Sequence, residues 1–161
     1  MGLFDLFKKK EKAYICARCK KEITEDETKW IGSHRFCEKC AASKHSLEQQ
    51  LIQIDSIIIN VIAERHLNSQ PAFINEINEK AVCFLKNYIT DSRHSFTFYW
   101  SEYPMGATHS KEFRKIDSVW CIYQYDYDKT PSEKITPYPN INDDNILESF
   151  IRVLLDEGKY R

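Results

Sequence analysis

The chain has 161 residues, of which 42% are hydrophobic and 29% charged, and its formal net charge is −1. This composition is typical of an ordered globular protein and argues against intrinsic disorder. With only four glycines, the sequence lacks the glycine-rich loops that cradle nucleotide phosphates.

Charge is unevenly distributed along the chain. Residues 1–45 hold 11 basic and 7 acidic residues, whereas residues 46–161 hold 12 basic and 17 acidic residues. The first part is therefore weakly basic and the second weakly acidic. A dedicated nucleic-acid surface carries a strong basic patch, and this imbalance is small for that role.

The first residues, MGLFDLFKKKEK, combine apolar side chains with lysines. The lysines follow the apolar residues, whereas a secretory signal carries its charges first, and the apolar run is too short to span a membrane. Leu6 stands where a myristoylation motif requires Ser or Thr. We treat residues 1–13 as a separate amphipathic segment. Contact of residues 1–10 with an anionic membrane is one interpretation, and docking on the protein itself is the other.

Such starts are common in bacterial proteins, and no exported context follows. We therefore expect a cytoplasmic protein whose thiols stay reduced.

Four of the six cysteines form two CxxC pairs, Cys16 with Cys19 and Cys37 with Cys40. Two intervening residues let both sulfurs of a pair reach one tetrahedral ion at about 2.3 Å. The spacing between the pairs is typical of zinc sites, whereas a redox CxxC occurs once and in a βαβ setting. Iron is the other metal that suits four thiolates. We predict one structural Zn²⁺ per chain, held by all four cysteines.

The residues between the pairs are typical of a β-hairpin. Thr28–Ile31 and His34–Phe36 are the predicted strands, and Gly32 and Ser33 form a two-residue turn that suits type II′. The residues that follow Cys40 favour a helix. The hairpin would bring the second cysteine pair back to the first.

Over residues 14–45 the chain would form a CxxC turn (a knuckle), a hairpin and a second knuckle that begins a helix. This order resembles the treble-clef and LIM-type zinc fingers. The resemblance implies a metal site and does not specify a task. His34 precedes Cys37 by three residues, as in LIM domains, and is the alternative ligand. Cys83 and Cys121 are isolated in the sequence, so a second LIM finger is not expected.

Trp30 is expected to face Arg35 across the hairpin, where the two side chains can stack. Basic and aromatic groups on a finger are typical of nucleic-acid contacts. Acidic residues are interleaved with the basic ones, so a solvated face is the preferred interpretation. The basic residues around the site are Arg18, Lys20, Lys21, Arg35, Lys39 and Lys44.

Residues 46–161 predict an α+β domain that begins with two helices. The first runs from a capping box at Ser46 to about Leu67, with apolar residues at helical spacing. The second begins at Ser69 or Pro71 and extends to about Tyr88. Cys83 lies within its pattern and is expected to be a buried thiol.

The pattern then changes to strands. Phe96–Trp100 alternates as a strand, and Val119–Tyr127 is a second strand whose first half, with Cys121, is buried. Pro104–Ser110 is a predicted loop, and Pro131–Pro139 is a proline-rich loop with one edge strand near Ile135.

A last helix follows, capped by Asn142 or Asp143 and ended by Gly158. The predicted order is α-α-β-β-(β)-α with an antiparallel sheet.

These patterns favour an interaction protein over an enzyme. The body's histidines, His66, His94 and His109, form no catalytic motif. We expect a small zinc-binding adaptor, regulatory or immunity-like, that binds another protein. Tyr125 and Asp126, in the stretch YQYDYD, are the candidate contacts for a basic partner. Nucleic-acid binding through the zinc finger is the weaker alternative.

Overall fold

The computed structural model describes residues 12–67, 69–93, 95–100, 109–126 and 132–157. Within these ranges the side chains of Tyr99, Trp100, His109 and Asp126 are not described. The predictions for residues 1–11, His94, Tyr127 and Gly158, and for most of the Pro104–Ser110 loop, fall outside the described residues. Contacts divide the chain into two compact units, with the division between His45 and Ser46.

The first unit contains two small antiparallel hairpins. Strand β1 (Tyr14–Ile15) pairs with β2 (Glu22–Ile23), and β3 (Thr28–Ile31) pairs with β4 (His34–Cys37). Helix α1 (Glu38–Ile52) begins directly after β4.

The predicted hairpin and its turn are confirmed. Gly32 has a φ of 59° and Ser33 lies outside the positive-φ region, as a type II′ turn requires.

The second unit joins helices to a four-stranded antiparallel sheet of order β5-β6-β7-β8. The strands are β5 (Phe96–Trp100), β6 (His109–Ile116), β7 (Val119–Asp126) and β8 (Ser132–Tyr138). Helices α2 (Ile54–Glu64) and α3 (Pro71–Thr90) precede the sheet, and α4 (Ile146–Glu157) follows it. The predicted mixed α+β class with antiparallel pairing is confirmed.

Helices cover one face of this sheet. Register places Phe113 beside Ile122 on that face, and both are buried against apolar side chains of the helices. Phe84 of α3 lies at the centre, with its ring stacked on that of Phe150 at a centroid distance of 4.1 Å. The core therefore forms between the sheet and α2, α3 and α4.

Two helix predictions were wrong in detail. Ser46 does not begin a helix, because it lies inside α1, and the single helix expected up to Leu67 is divided between α1 and α2. The last helix is not capped by Asn142 or Asp143. The Leu147 amide in its first turn donates instead to Oε1 of buried Gln50, at 3.1 Å.

Other parts of the second unit differ from the predictions. The edge strand expected near Ile135 is present but longer, because β8 takes up most of the predicted loop, and β6 was not predicted and begins inside the predicted Pro104–Ser110 loop. Cys83 is exposed on α3 and accepts a hydrogen bond from the Asn87 side chain, at 3.6 Å. Cys121 is buried as predicted, and its thiol donates to the Arg114 carbonyl, at 3.3 Å.

The turn between β6 and β7 gives a first testable prediction. Asp117 and Ser118 have φ values of 49° and 69°, which define a type I′ turn with no glycine. A Cβ is disfavoured in this region. Ser118→Gly should therefore stabilise the second unit by about 0.5–1 kcal/mol, measured as a higher urea midpoint. Ser118→Ala keeps the Cβ and should bring no such gain. Equal urea midpoints for the two variants would show that the positive φ of Ser118 does not strain the backbone.

Candidate metal centre

Four cysteine sulfurs converge in the first unit. The Sγ atoms of Cys16, Cys19, Cys37 and Cys40 all lie within 4.8 Å of one another, and all four cysteines are free thiols. The Sγ atoms of Cys19 and Cys37 are 3.9 Å apart. Four ligands at about 2.3 Å around a tetrahedral ion have their sulfurs about 3.8 Å apart. The donor set and its spacing therefore fit a metal ion.

The first knuckle is shaped by backbone hydrogen bonds. The Cys16 amide donates to the Lys21 carbonyl, at 2.9 Å, and the Lys20 amide donates back to the Cys16 carbonyl, at 3.1 Å. Lys20 has a φ of 64°, which turns the chain sharply after Cys19. The turn directs both sulfurs of the pair toward one point.

The second pair is placed by a strand and a helix. Cys37 is the last residue of β4, and Cys40 lies in the first turn of α1. The Cys37 amide also points at the Cys16 sulfur, at 3.4 Å. This contact ties the second pair to the first.

Backbone amides favour the ionised form of one thiol. Burial raises the pKa of Cys16, but the amides of Cys19, Cys37 and Arg18 outweigh it and lower the pKa to about 6. These amides thus favour the thiolate of Cys16, which is the form that binds metals.

The thiols of Cys40 and Cys19 resist ionisation. Burial, together with the neighbouring sulfurs, raises the pKa of Cys40. Burial is also the largest cause of the raised pKa of Cys19. Several thiolates this close together need a cation between them, and metal binding supplies the free energy that deprotonates them.

The apolar core of this unit is very small. Its buried hydrophobic members are Cys16, Ile23, Phe36 and Cys40, so two of the four are candidate metal ligands. A core of this size contributes little stability, and small domains of this kind depend on a metal or a disulfide.

His34 is not part of the cluster. It is exposed at the end of the hairpin, paired with Ile31, and its Nδ1 lies 3.2 Å from the Ser33 hydroxyl. The alternative in which His34 replaces a cysteine is therefore not supported by this geometry.

Arg18 differs from its prediction. It was grouped with solvated basic residues, yet it is only 3% exposed, and its Nη1 donates to the Ser43 hydroxyl at 2.5 Å. A buried guanidinium is costly unless negative charge lies nearby. In the chain, Arg18 stands between Cys16 and Cys19, two of the four candidate ligands. The alternation of charges in the sequence gave no sign of this burial.

The candidate partner residues lie near the end of β7. Tyr125 pairs with Ser110 and Glu133, while Asp126 pairs with Ser132. Successive strand positions belong to opposite faces of a sheet. Tyr125 is on the face away from the helices, so the two positions do not share one face.

Comparison with protein-family models, curated proteins and solved structures gave no match for this chain. Among the described residues, every helix is too short or too polar to cross a lipid bilayer.

Proposed function

We propose that the four cysteines hold one structural Zn²⁺ and that the chain is a zinc-stabilised interaction protein. The convergence of four sulfurs, which no other ligand type joins among the described residues, carries the proposal. A site closed by four cysteines leaves no position for a substrate or water, so the metal would stabilise the fold rather than act on a substrate.

The order of elements supports a treble-clef type of finger. The first pair lies on a knuckle after β1, the β3–β4 hairpin follows, and the second pair leads into α1. Metal bound at this point would join the knuckle, the hairpin and the helix. Arg18 would balance part of the −2 charge of a four-thiolate zinc site.

The second unit supports an interaction role through the sheet face that the helices leave open. Tyr123, Tyr125 and Ile135 belong to this face, and Ile135 is 52% exposed. The Arg114 guanidinium lies over the Tyr123 ring at 4.1 Å. Tyrosine and arginine are enriched at protein interfaces. We propose a protein partner that contacts this face at Tyr125, with Asp126 at the strand end as a secondary contact.

Metal analysis of the purified protein tests the zinc site. We expect close to one zinc per chain and, after exchange, the absorption of tetrahedral cobalt thiolate. If iron is found in place of zinc, the four-cysteine site stands but the proposed metal is wrong, because both metals suit a four-sulfur site. Metal-free protein in which all four thiols react freely would contradict the proposal.

The interaction role is tested on the same preparation. Hydrogen exchange of the protein with a partner recovered from its native host should show protection across β7. Unchanged exchange in β7 would exclude the open sheet face as the contact surface.

A further inference from the structure

Arg35 lies between two aromatic rings on the surface of the first unit. Its Cζ is 3.7 Å from the centroid of the Tyr14 ring and 4.5 Å from that of Trp30. The β3–β4 register places Trp30 directly opposite Arg35. The Arg35 carbonyl accepts a hydrogen bond from the Ala17 amide, at 2.7 Å. The two rings contact the guanidinium, and this hydrogen bond fixes the backbone that carries it.

The guanidinium has no hydrogen-bonding partner within the described part of the first unit. Other arginines of the chain have one. Arg65 pairs with Asp156, Arg114 with Glu112 and Arg152 with Glu64. Arg35 thus presents a planar fork of N–H donors without an acceptor. A fork held in place loses little side-chain entropy when it binds a carboxylate.

Trp30 extends this surface. Its side chain is 61% exposed although it lies against Arg35, so a large part of the indole faces solvent. Tryptophan, tyrosine and arginine are the residue types most enriched at the energetic centres of protein interfaces. An indole beside an ordered guanidinium offers an apolar contact and an anion contact at one place.

We propose that Tyr14, Trp30 and Arg35 form a receptor for an acidic protein segment. The carboxylate of an Asp or Glu would accept two parallel hydrogen bonds from Arg35, and a neighbouring apolar side chain would pack on Trp30. This adds a second contact surface to the proposed interaction role, and it requires a folded, metal-loaded finger.

Charge favours a protein carboxylate over nucleic acid at this surface. Residues 12–45 contain eight basic and five acidic side chains. A four-thiolate zinc site contributes −2, which leaves the finger close to neutral. Phosphate backbones are bound chiefly through many basic contacts, and a single ordered arginine cannot replace them. One carboxylate, in contrast, needs only one guanidinium.

The test uses zinc-loaded full-length protein and a synthetic nonapeptide in which Phe alternates with Asp. Nuclear magnetic resonance should show saturable shifts of the Trp30 indole N–H and the Arg35 Nε–H. Arg35→Gln should weaken binding about tenfold or more, because it removes a charge-assisted pair. Arg35→Lys keeps the charge but not the fork and should lose most of the same affinity.

Lys29→Gln is the matched control. Lys29 neighbours Trp30 on β3 but pairs with Phe36, so it lies on the other face of the hairpin. The substitution removes the same positive charge as Arg35→Gln. It should change affinity little. A peptide with Asn in place of Asp should bind at least tenfold more weakly than the Asp peptide. A ten-nucleotide oligothymidylate should also bind more weakly than the Asp peptide.

Several outcomes would overturn the proposal. These are the absence of saturable shifts at millimolar peptide, equal affinity for the Asp and Asn peptides, and an equal effect of the Lys29 and Arg35 variants. Tighter binding of oligothymidylate would assign the surface to nucleic acid instead. Metal content is measured on the same sample, so failure with zinc bound rejects this surface, whereas a protein without metal rejects the zinc site itself.

Discussion

Replacing Cys37 with serine should abolish tight metal binding and unfold residues 14–45, while much of the second unit remains folded. Structural zinc contributes about 10–16 kcal/mol of apparent binding free energy to small fingers. The four-residue core of the first unit cannot offset such a loss. The second unit has its own extensive core, which contains none of the four cysteines.

Two measurements check this prediction. Metal analysis should show that bound zinc is lost, and amide hydrogen exchange should show that protection disappears in β3 and β4 but persists in β6 and β7. Cys83→Ser is the control, because Cys83 is exposed and does not belong to the cluster. Retained zinc in the Cys37 variant would show that another group completes the site. Loss of protection in every element would show that the second unit cannot fold without the finger.

Replacing Phe84 with alanine should destabilise the second unit by about 3–5 kcal/mol. The Phe84 side chain is fully buried, stacks on Phe150 of α4 and lies 5.8 Å, centroid to centroid, from both Phe113 and Trp120. Its removal leaves a cavity where two helices and the sheet meet. Such a cavity costs both the transfer free energy of the ring and the contacts of its neighbours.

Urea unfolding followed through resonances of β6 and β7 measures this effect in the second unit alone. Ile135→Ala is the control, since Ile135 is a large but exposed hydrophobic residue of the same sheet. It should change the free energy of unfolding by less than about 1 kcal/mol. A Phe84 effect no larger than that of the control would show that the aromatic cluster repacks around the vacancy.

The metal site was the part of the molecule most open to prediction from sequence, because its determinants are local. Two cysteines separated by two residues can reach one ion from a single turn of the chain, and Gly32 marks the turn that returns the second pair to the first. The convergence of the four cysteines and the hairpin therefore agree with the structure. The identity of the metal is not fixed by spacing and remains a proposal.

The strand β6 escaped prediction because its inward positions are not all apolar. Lys111 and Lys115 share the helix-covered face with Phe113, where alternation would predict hydrophobic residues. Lys111 pairs with Glu157, and Lys115 donates to the Tyr88 hydroxyl, at 2.7 Å. These partners are 46 and 27 residues away in the chain. Local patterns contain no information on such distant pairs.

The same limit applies to the start of α4. Its cap is the side chain of Gln50, whose amide also donates to the Asp143 carbonyl, at 2.7 Å. A cap contributed by another helix leaves no signature in the residues beside the helix that it caps. The sequence suggested Asn142 and Asp143 because those residue types commonly cap locally.

The position of β8 at the end of the sheet has a consequence for self-association. An edge strand can template the addition of strands from other chains and lead to aggregation. β8 is solvent-exposed along most of its length, yet Glu133 and Lys134 place charges on it and Pro137 interrupts its backbone donors. Charged residues and proline are the usual protection of exposed edges against fibril growth. Exposed Ile135, which lies between them, is thereby kept from nucleating intermolecular β-structure at high protein concentration.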